Sequence, residues 1–267
     1  MVTLVQPTVY MVGETAVVHD GPKDPDIELG INKYLRDIKA SSWTSDAQSD
    51  EEYLVEVMGR MCYRSFSAGL NPNVTRVRVG NEKYIGHIVE VGHGSVVEHP
   101  IASFIFHGVS RVFTHELVRH RAGVAISQES LRFVRLDHLD FWLPDWALED
   151  PTLMAMCLAK LKVDEDFQVA LGKYFNLDDE KSFAVKKAKT SFMRRFAPDG
   201  LATSIGWTCN LRALRHVIEM RTAEGAEEEI RLVFGKLGRF AKRRWPSLFA
   251  DYSENEKGEF VTEHRKV

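Results

Sequence analysis

The sequence is poor in the features that mark membrane, secreted and nucleic-acid-binding proteins. Its 267 residues contain no apolar run near the ~20 residues that a helix needs to cross a bilayer, and no basic-then-apolar signal peptide stands at the N-terminus. The formal net charge of −3 lacks the basic excess that is typical of a dedicated nucleic-acid binder. We therefore expect a cytoplasmic protein with no membrane or nucleic-acid partner.

Cysteine is scarce as well. Cys62, Cys157 and Cys209 are an odd number, lie far apart and have no CxxC spacing, so they favour buried thiols in a reducing compartment over a disulfide or zinc framework. Cys209 lies close in sequence to Arg212, which leaves an activated thiolate as one interpretation. A small apolar residue at the end of a buried strand is the interpretation we favour.

The glycine motifs of the common nucleotide-binding folds are missing too. No GxGxxG follows a predicted strand, and no GxxxxGK[ST] is present, so a standard dinucleotide or P-loop site has no support. A phosphate-bearing cofactor remains compatible with the sequence, because arginine, histidine, serine and asparagine donors can hold its phosphates and ring edge without a Rossmann turn.

Hydrophobic periodicity predicts one domain, residues 1–267, of class α+β, with an antiparallel or mixed β-sheet flanked by several helices. Strands are predicted at 2–5, 16–18, 101–107, 131–136 and 201–208. Helices are predicted at 31–38, 50–61, 81–91, 110–118, 150–175, 179–196, 210–220 and 223–245. The polar segment 20–50 is expected to be an insertion or mobile loop, and 251–267 a polar tail that frays.

The most distinctive stretch runs from Arg119 to Arg132. It combines three arginines and His120 with the hydroxyls of Ser127 and Ser130. Guanidinium groups stay charged at any working pH and present planar forks of donors, so grouping them favours a phosphate or carboxylate ligand. We predict an anion site on a helix end and the loop after it, with a merely solvated basic helix end as the alternative.

A second arginine is informative because of its helix position. Asn210, Leu214, Val217 and Arg221 follow the spacing i, i+4, i+7, i+11 and so share one helical stripe. Arg221 is therefore expected on a buried face, where a guanidinium costs several kcal/mol unless an anion satisfies it. That anion is either a ligand or a carboxylate of the core.

Two alternative functions remain open, and the first rests on the histidines. Seven of the ten lie between residues 87 and 138, which suggests a metal-dependent hydrolase. However, His115 and His120 are five residues apart, and at about 100° per residue they diverge by roughly 140° on a helix. The spacing therefore argues against a metal site. A non-catalytic module that binds an anionic nucleotide through its arginines is the other alternative.

Three motifs together resemble the flavin-dependent thymidylate synthases. The first is Arg119-His120-Arg121 followed by Ser130-x-Arg132, the second is the segment His93 to His99, and the third is Asn210-x-Arg212 with Arg221 on the same helix. Two positions depart from the family pattern. The spacer from RHR to the serine is eight residues instead of seven, which we expect to be accommodated as a bulge near Gly123, and Gly225 stands where the family often has histidine.

The resemblance implies an enzyme that converts dUMP to dTMP, with 5,10-methylenetetrahydrofolate as carbon donor, FAD as hydride carrier and NADPH as reductant. It also implies a homotetramer with sites at the subunit interfaces. Flavin contacts are assigned by analogy to His93, Ser95, Arg119, His120, Arg121, Asn210, Arg212 and His216. Contacts to dUMP are assigned to Glu116, Gln128, Ser130, Arg132, Arg194 and Arg221. Arg221 is the residue expected to activate the pyrimidine, and no metal is expected.

Overall fold

A four-stranded antiparallel sheet lies at the centre of the structure, a computed structural model that describes residues 2–267. Its strands run in the order β2 (Thr8–Glu14), β3 (Ile101–Ser110), β6 (Ala202–Asn210) and β4 (Val124–Gln128). Side chains alternate between buried and partly exposed along β6, as one covered face requires. The sheet therefore has a core face and an opposite face that this chain leaves largely uncovered.

The helices are α1 (Ile31–Asp37), α2 (Asp50–Tyr63), α3 (Asn81–Glu90), α4 (Arg111–Leu117), α5 (Asp145–Leu148), α6 (Pro151–Tyr174), α7 (Phe183–Met193), α8 (Leu211–Thr222) and α9 (Glu228–Arg244). Of these, α4, α8 and α9 contact strands of the central sheet. Short 3₁₀ helices lie at Gly94–Glu98 and Arg194–Phe196. In the main core, Phe106 of β3 and Trp207 of β6 pack against Phe234 of α9.

Side-chain caps fix where the principal helices begin. Ser49, Ser110, Asp150 and Asn210 each accept a hydrogen bond from a backbone N–H in the first turn of the helix that follows. Such caps satisfy donors that have no partner inside the helix. The predicted starts of α2, α4, α6 and α8 are thereby confirmed to within about one residue.

Two further strand pairs lie outside the central sheet. β1 (Thr3–Leu4) runs parallel to β5 (Asp140–Phe141), and β7 (Ser253–Glu254) forms a hairpin with β8 (Phe260–Val261). The α+β class, the antiparallel and mixed pairing and the flanking helices are confirmed. No helix within residues 2–267 is both long and apolar enough to cross a membrane.

The strand predicted at 131–136 is wrong. That segment consists of turns, and the neighbouring strand lies earlier, at Val124–Gln128. The alternation arises because Leu131 and Leu136 enter a second small core with Phe141 and Leu161. The strand at 16–18 is also wrong, since the edge strand that pairs with β3 ends at Glu14.

The polar tail does not fray. Phe260 and Val267 are 1% and 3% exposed and belong to the main core. Three apolar side chains in a polar segment were enough to fold it back, since Tyr252 is buried as well. In the 20–50 segment, helix α1 confirms the helix predicted at 31–38, and the insertion itself stays a prediction.

Candidate active site

The tight turn between α4 and β4 places the RHR triplet beside the start of α8. Gly123 has a φ of 69°, and a Cβ added there would lie 2.3 Å from Asn210 Nδ2. The Asn210 N–H also donates to the Gly123 carbonyl oxygen over 2.9 Å. Only glycine combines that backbone conformation with such a close approach. The turn thus joins the first and third sequence motifs in space.

The extra residue of the spacer is not accommodated as a β-bulge. β4 pairs with β6 in continuous register from Val124 opposite Cys209 to Gln128 opposite Ile205. The expected bulge is therefore wrong, and the positive φ belongs to the turn before the strand. The carboxylate of Glu129 accepts from the Ser204 N–H over 3.0 Å. The hydroxyl of Ser130 instead accepts from the Arg132 N–H.

A cleft of about 850 Å³ opens beside this turn, and we call it the arginine cleft. Its cationic side chains are Arg119, Arg121, Arg212, Arg265 and Lys266, and Glu98 is the carboxylate among its lining residues. The remaining lining residues are Gly92, His120, Ala122, Gly123, Asn210, Ala213, His216, Val217 and Val267. An excess of cations over carboxylates makes the cleft a suitable place for an anionic ligand.

Six of the eight residues assigned to the flavin line this cleft. They are Arg119, His120, Arg121, Asn210, Arg212 and His216. His93 and Ser95 do not line it, although both lie within the segment from Gly92 to Glu98, whose two ends do. The ring of His93 stacks on that of Tyr63 with centroids 5.9 Å apart.

Arg221 is not a lining residue, but it makes three hydrogen bonds directly behind the lining residue His120, a position we call the root of the cleft. Its Nη1 lies 2.5 Å from Glu116 Oε2, its Nη2 donates to the Glu116 carbonyl oxygen over 3.0 Å, and its Nε donates to His120 Nε2 over 2.7 Å. The side chain of Arg221 is 16% exposed and that of Glu116 is 30% exposed. The ion pair that was one alternative for Arg221 is thus present, and its partner is itself an assigned substrate residue.

Burial, together with the neighbouring charge of Arg221, sets the protonation state of His120. Burial, followed by the charge of Arg221, lowers the pKa of His120 to about 4. The imidazole is therefore neutral at pH 7, and its Nε2 is an acceptor because Arg221 donates to it. His216 approaches His120 edge-on at 6.0 Å between ring centroids.

None of the residues assigned to dUMP is among the lining of the arginine cleft, although Arg221 bonds to the lining residue His120. Gln128 Nε2 donates to Thr114 Oγ1 over 3.1 Å, and the hydroxyl of Ser130 accepts from the Arg132 N–H over 3.4 Å. Arg132 Nε is buried without a hydrogen-bond partner in the described part of the chain. Arg194 begins the 3₁₀ helix after α7 and is exposed. Within one chain the assigned residues therefore form two groups. The first lies at the arginine cleft and its root, and the second comprises Gln128, Ser130, Arg132 and Arg194.

Sequence reasoning missed Arg111 in the second group. Its Nη1 is buried and has no partner among residues 2–267. Burial lowers the pKa of Arg111, and the nearby charge of Arg194 lowers it further against the opposing effect of Asp199. The sequence signal was an arginine directly after the Ser110 cap, at the start of the helix predicted at 110–118.

Two alternatives in the chemistry receive no support from the geometry. Within residues 2–267, no three His, Cys, Asp or Glu side chains are grouped so that they could hold a metal ion. Cys209 is buried as predicted, and burial raises the pKa of its thiol, which opposes a thiolate. The expectation of buried thiols is wrong for Cys62, which is exposed.

Comparison with known proteins identifies the family. Residues 45–247 match the family model described as thymidylate synthase complementing protein. The chain is 36% identical over 234 residues to a flavin-dependent thymidylate synthase of Corynebacterium diphtheriae, covering 85% of this chain and 89% of the relative. It is 37% identical over 214 residues to one of Mycobacteroides abscessus, covering 79% and 82%.

The fold has a solved counterpart. The UMP/dUMP methylase PolB from Streptomyces cacaoi, solved with 5-Br UMP, superposes with a TM-score of 0.59 at 17% identity, covering 92% of this chain and 94% of PolB. The chain belongs to the thymidylate synthase complementing protein family. It is an enzyme, a methyltransferase of the flavin-dependent thymidylate synthase type.

Proposed function

We propose that the enzyme converts dUMP to dTMP by reductive methylation. The carbon donor would be 5,10-methylenetetrahydrofolate, the hydride carrier FAD and the reductant NADPH. The observation that carries the proposal is the convergence of the RHR triplet and helix α8 on one cationic cleft, with Arg221 bonded to Glu116 and His120 at its root. The relatives named flavin-dependent thymidylate synthase support the same reaction.

The arginine cleft fits a flavin dinucleotide by its donors. Arg119, Arg121 and Arg212 offer charged N–H groups for phosphates, while Asn210 and His216 offer polar groups for the ring edge. Bound FAD supplies hydride transfer, which no side chain of the protein can perform. The protein's task is then to bind, orient and polarise. His93 and Ser95 are proposed to contact the cofactor from the neighbouring segment.

Arg221 is proposed to activate the pyrimidine. A guanidinium beside the uracil carbonyl and N3 stabilises negative charge that develops on the ring, so C5 becomes nucleophilic without a covalent enzyme adduct. The present bond to Glu116 keeps this cation oriented and compensated while it is partly buried. Substrate is expected to take over one of the three contacts, and Glu116 to stay within reach of the ring.

The second group of residues is proposed to grip the phosphate of dUMP. Arg111 and Arg132 each carry a buried guanidinium nitrogen without a partner, which is a costly state that an anion would relieve. Ser130 and Gln128 add neutral donors, and Arg194 adds a further charge near Arg111. A phosphate offers enough acceptor oxygens to satisfy several of these groups together.

A homotetramer with shared sites would bring the two groups together. The outer face of the sheet leaves Tyr10 and Val12 51% and 58% exposed, and the α6–α7 pair leaves Met156 66% exposed. Exposed apolar side chains that form a contiguous patch mark interaction sites. We propose that another copy covers these faces and completes the dUMP site.

The test is a reaction assay on purified protein. We expect a yellow protein that absorbs at about 450 nm. It should release tritium from 5-labelled dUMP only when the folate and NADPH are present. A colourless protein that binds nucleotide but neither releases tritium nor oxidises NADPH would overturn the proposal. That result would instead favour the nucleotide-binding module. Gel filtration with light scattering measures the assembly in the same preparation.

A further inference from the structure

The segment after the β7–β8 hairpin reaches the arginine cleft. Arg265, Lys266 and Val267 line it, although they lie outside the residues 45–247 that match the family model. The predicted frayed tail is thus a wall of the candidate site. Its two cationic side chains face a cleft that already holds Arg119, Arg121 and Arg212.

The backbone of this segment holds one cleft arginine in place. Arg212 Nη2 donates to the Lys266 carbonyl oxygen over 2.6 Å, and its Nη1 donates to Glu98 Oε1 over 2.6 Å. The third side of the guanidinium rests on Gly94, where an added Cβ would lie 2.6 Å from Arg212 Nε. A flexible, 39% exposed arginine side chain is thereby confined on three sides.

A buried anchor keeps the segment where Arg212 needs it. The fully buried Arg215 donates through Nε to the Val267 backbone oxygen over 3.2 Å and forms a bidentate pair with Asp251 at 2.8 Å. Thr262 donates to the same carboxylate over 2.5 Å. The side chain of Val267 completes the anchor, since it is buried in the main core.

We propose that residues 265–267 are a positioning element for flavin binding, which hold the guanidinium of Arg212 in the orientation that receives the anionic part of the dinucleotide. This inference rests on the proposed flavin function of the cleft. Confinement matters because a free arginine side chain loses rotamer freedom when a ligand must immobilise it. Prior fixation by the tail removes part of that cost from binding.

The experiment compares FAD affinities of apoprotein variants by quenching of flavin fluorescence. A chain ending after His264 is expected to bind FAD roughly tenfold more weakly than the full chain, of the order that a lost preorganised charged contact gives. Lys257→Ala is the matched control, because its exposed ion pair with Glu224 lies in the hairpin, outside the cleft lining.

A second set of variants keeps the test decisive if the shortened chain does not fold. Val267→Ala shrinks the buried anchor and is expected to weaken FAD binding severalfold, whereas the conservative Val267→Ile should restore most of it. Circular dichroism checks that both are folded. Equal affinities for Val267→Ala and the wild type would overturn the inference.

A double-mutant cycle separates positioning from general destabilisation. In an Arg212→Ala background the tail has no guanidinium to hold, so shortening the chain should alter FAD affinity less than about twofold. An undiminished loss in that background would overturn the positioning role. Wild-type apoprotein that binds no FAD would refute the proposed function and this inference with it, whereas flavin binding that ignores the tail refutes the inference alone.

Discussion

Replacing Arg221 with alanine tests the centre of the proposed chemistry. The change removes three hydrogen bonds, two to Glu116 and one to His120, from a side chain that is 16% exposed. Loss of one preorganised donor to developing charge typically costs 10²- to 10³-fold in rate, about 3–4 kcal/mol. We therefore expect Arg221→Ala to retain bound flavin and to lose at least roughly a hundredfold of dTMP formation.

The structure adds a spectroscopic signature to this rate effect. The charge of Arg221 is one cause of the lowered pKa of His120, second to burial. Its removal should raise that pKa from about 4 towards the ordinary histidine value, because the cation disfavours a protonated imidazole. Titration of the His120 ring by NMR measures the shift. The titration requires only that the variant is folded, so its result does not depend on turnover.

Two matched variants make the result interpretable. Arg221→Lys keeps the charge but cannot make the forked contacts. It should therefore keep the pKa of His120 low, as in the wild type, while the rate of dTMP formation still falls. Arg239→Ala breaks an exposed ion pair with Glu254 at 2.6 Å and should cost no more than about 1 kcal/mol of stability, with normal turnover. Near-normal dTMP formation by Arg221→Ala would refute the assignment of Arg221.

Three further predictions concern neighbouring groups. Arg111→Ala should weaken dUMP binding roughly tenfold to a hundredfold, as loss of a charged hydrogen bond does, and should leave deoxyuridine affinity unchanged in equilibrium titrations. Gly123→Ala should lower the free energy of unfolding by more than about 1 kcal/mol, because φ is 69° and Asn210 lies 2.3 Å from the new Cβ. The control Gly86→Ala, in a helix with open space around it, should stabilise slightly in the same thermal melts. Burial raises the pKa of Glu229 to about 7, so the folded chain binds more protons than the unfolded chain between about pH 4.5 and 7. Stability should fall as pH rises through that window by up to about 3 kcal/mol, and urea titrations of Glu229→Gln should lack this slope.

Much of the local structure follows from short-range patterns. The Ser49, Ser110 and Asn210 caps and the apolar stripe of α8 act within a few residues, so the sequence predicted those helices closely. The alternation at 131–136 obeyed the strand rule yet formed turns. Its two leucines pack into a second small core instead of pairing with a neighbouring strand. The hydrophobic period of a segment does not specify which strand, if any, will pair with it.

The candidate site divides in the same way. The sequence alone determined which residue types are candidates for the proposed chemistry, namely the RHR triplet, the hydroxyl of Ser130 and the arginines of α8. It did not reveal Arg111, whose importance lies in a buried nitrogen without a partner. It also gave the tail no role, because two polar residues beside a buried valine look like a solvated end.

Only the tertiary structure decided which of those residues meet. Arg221 bonds to His120 and Glu116 across 101 and 105 positions of sequence, and Arg212 bonds to Lys266 across 54. Helix caps, hydrophobic periodicity and turn residues express local free-energy preferences, so each can be predicted from one segment of the sequence. Contacts between remote segments depend on how the whole chain closes its core, and the protonation of His120 depends on that closure in turn.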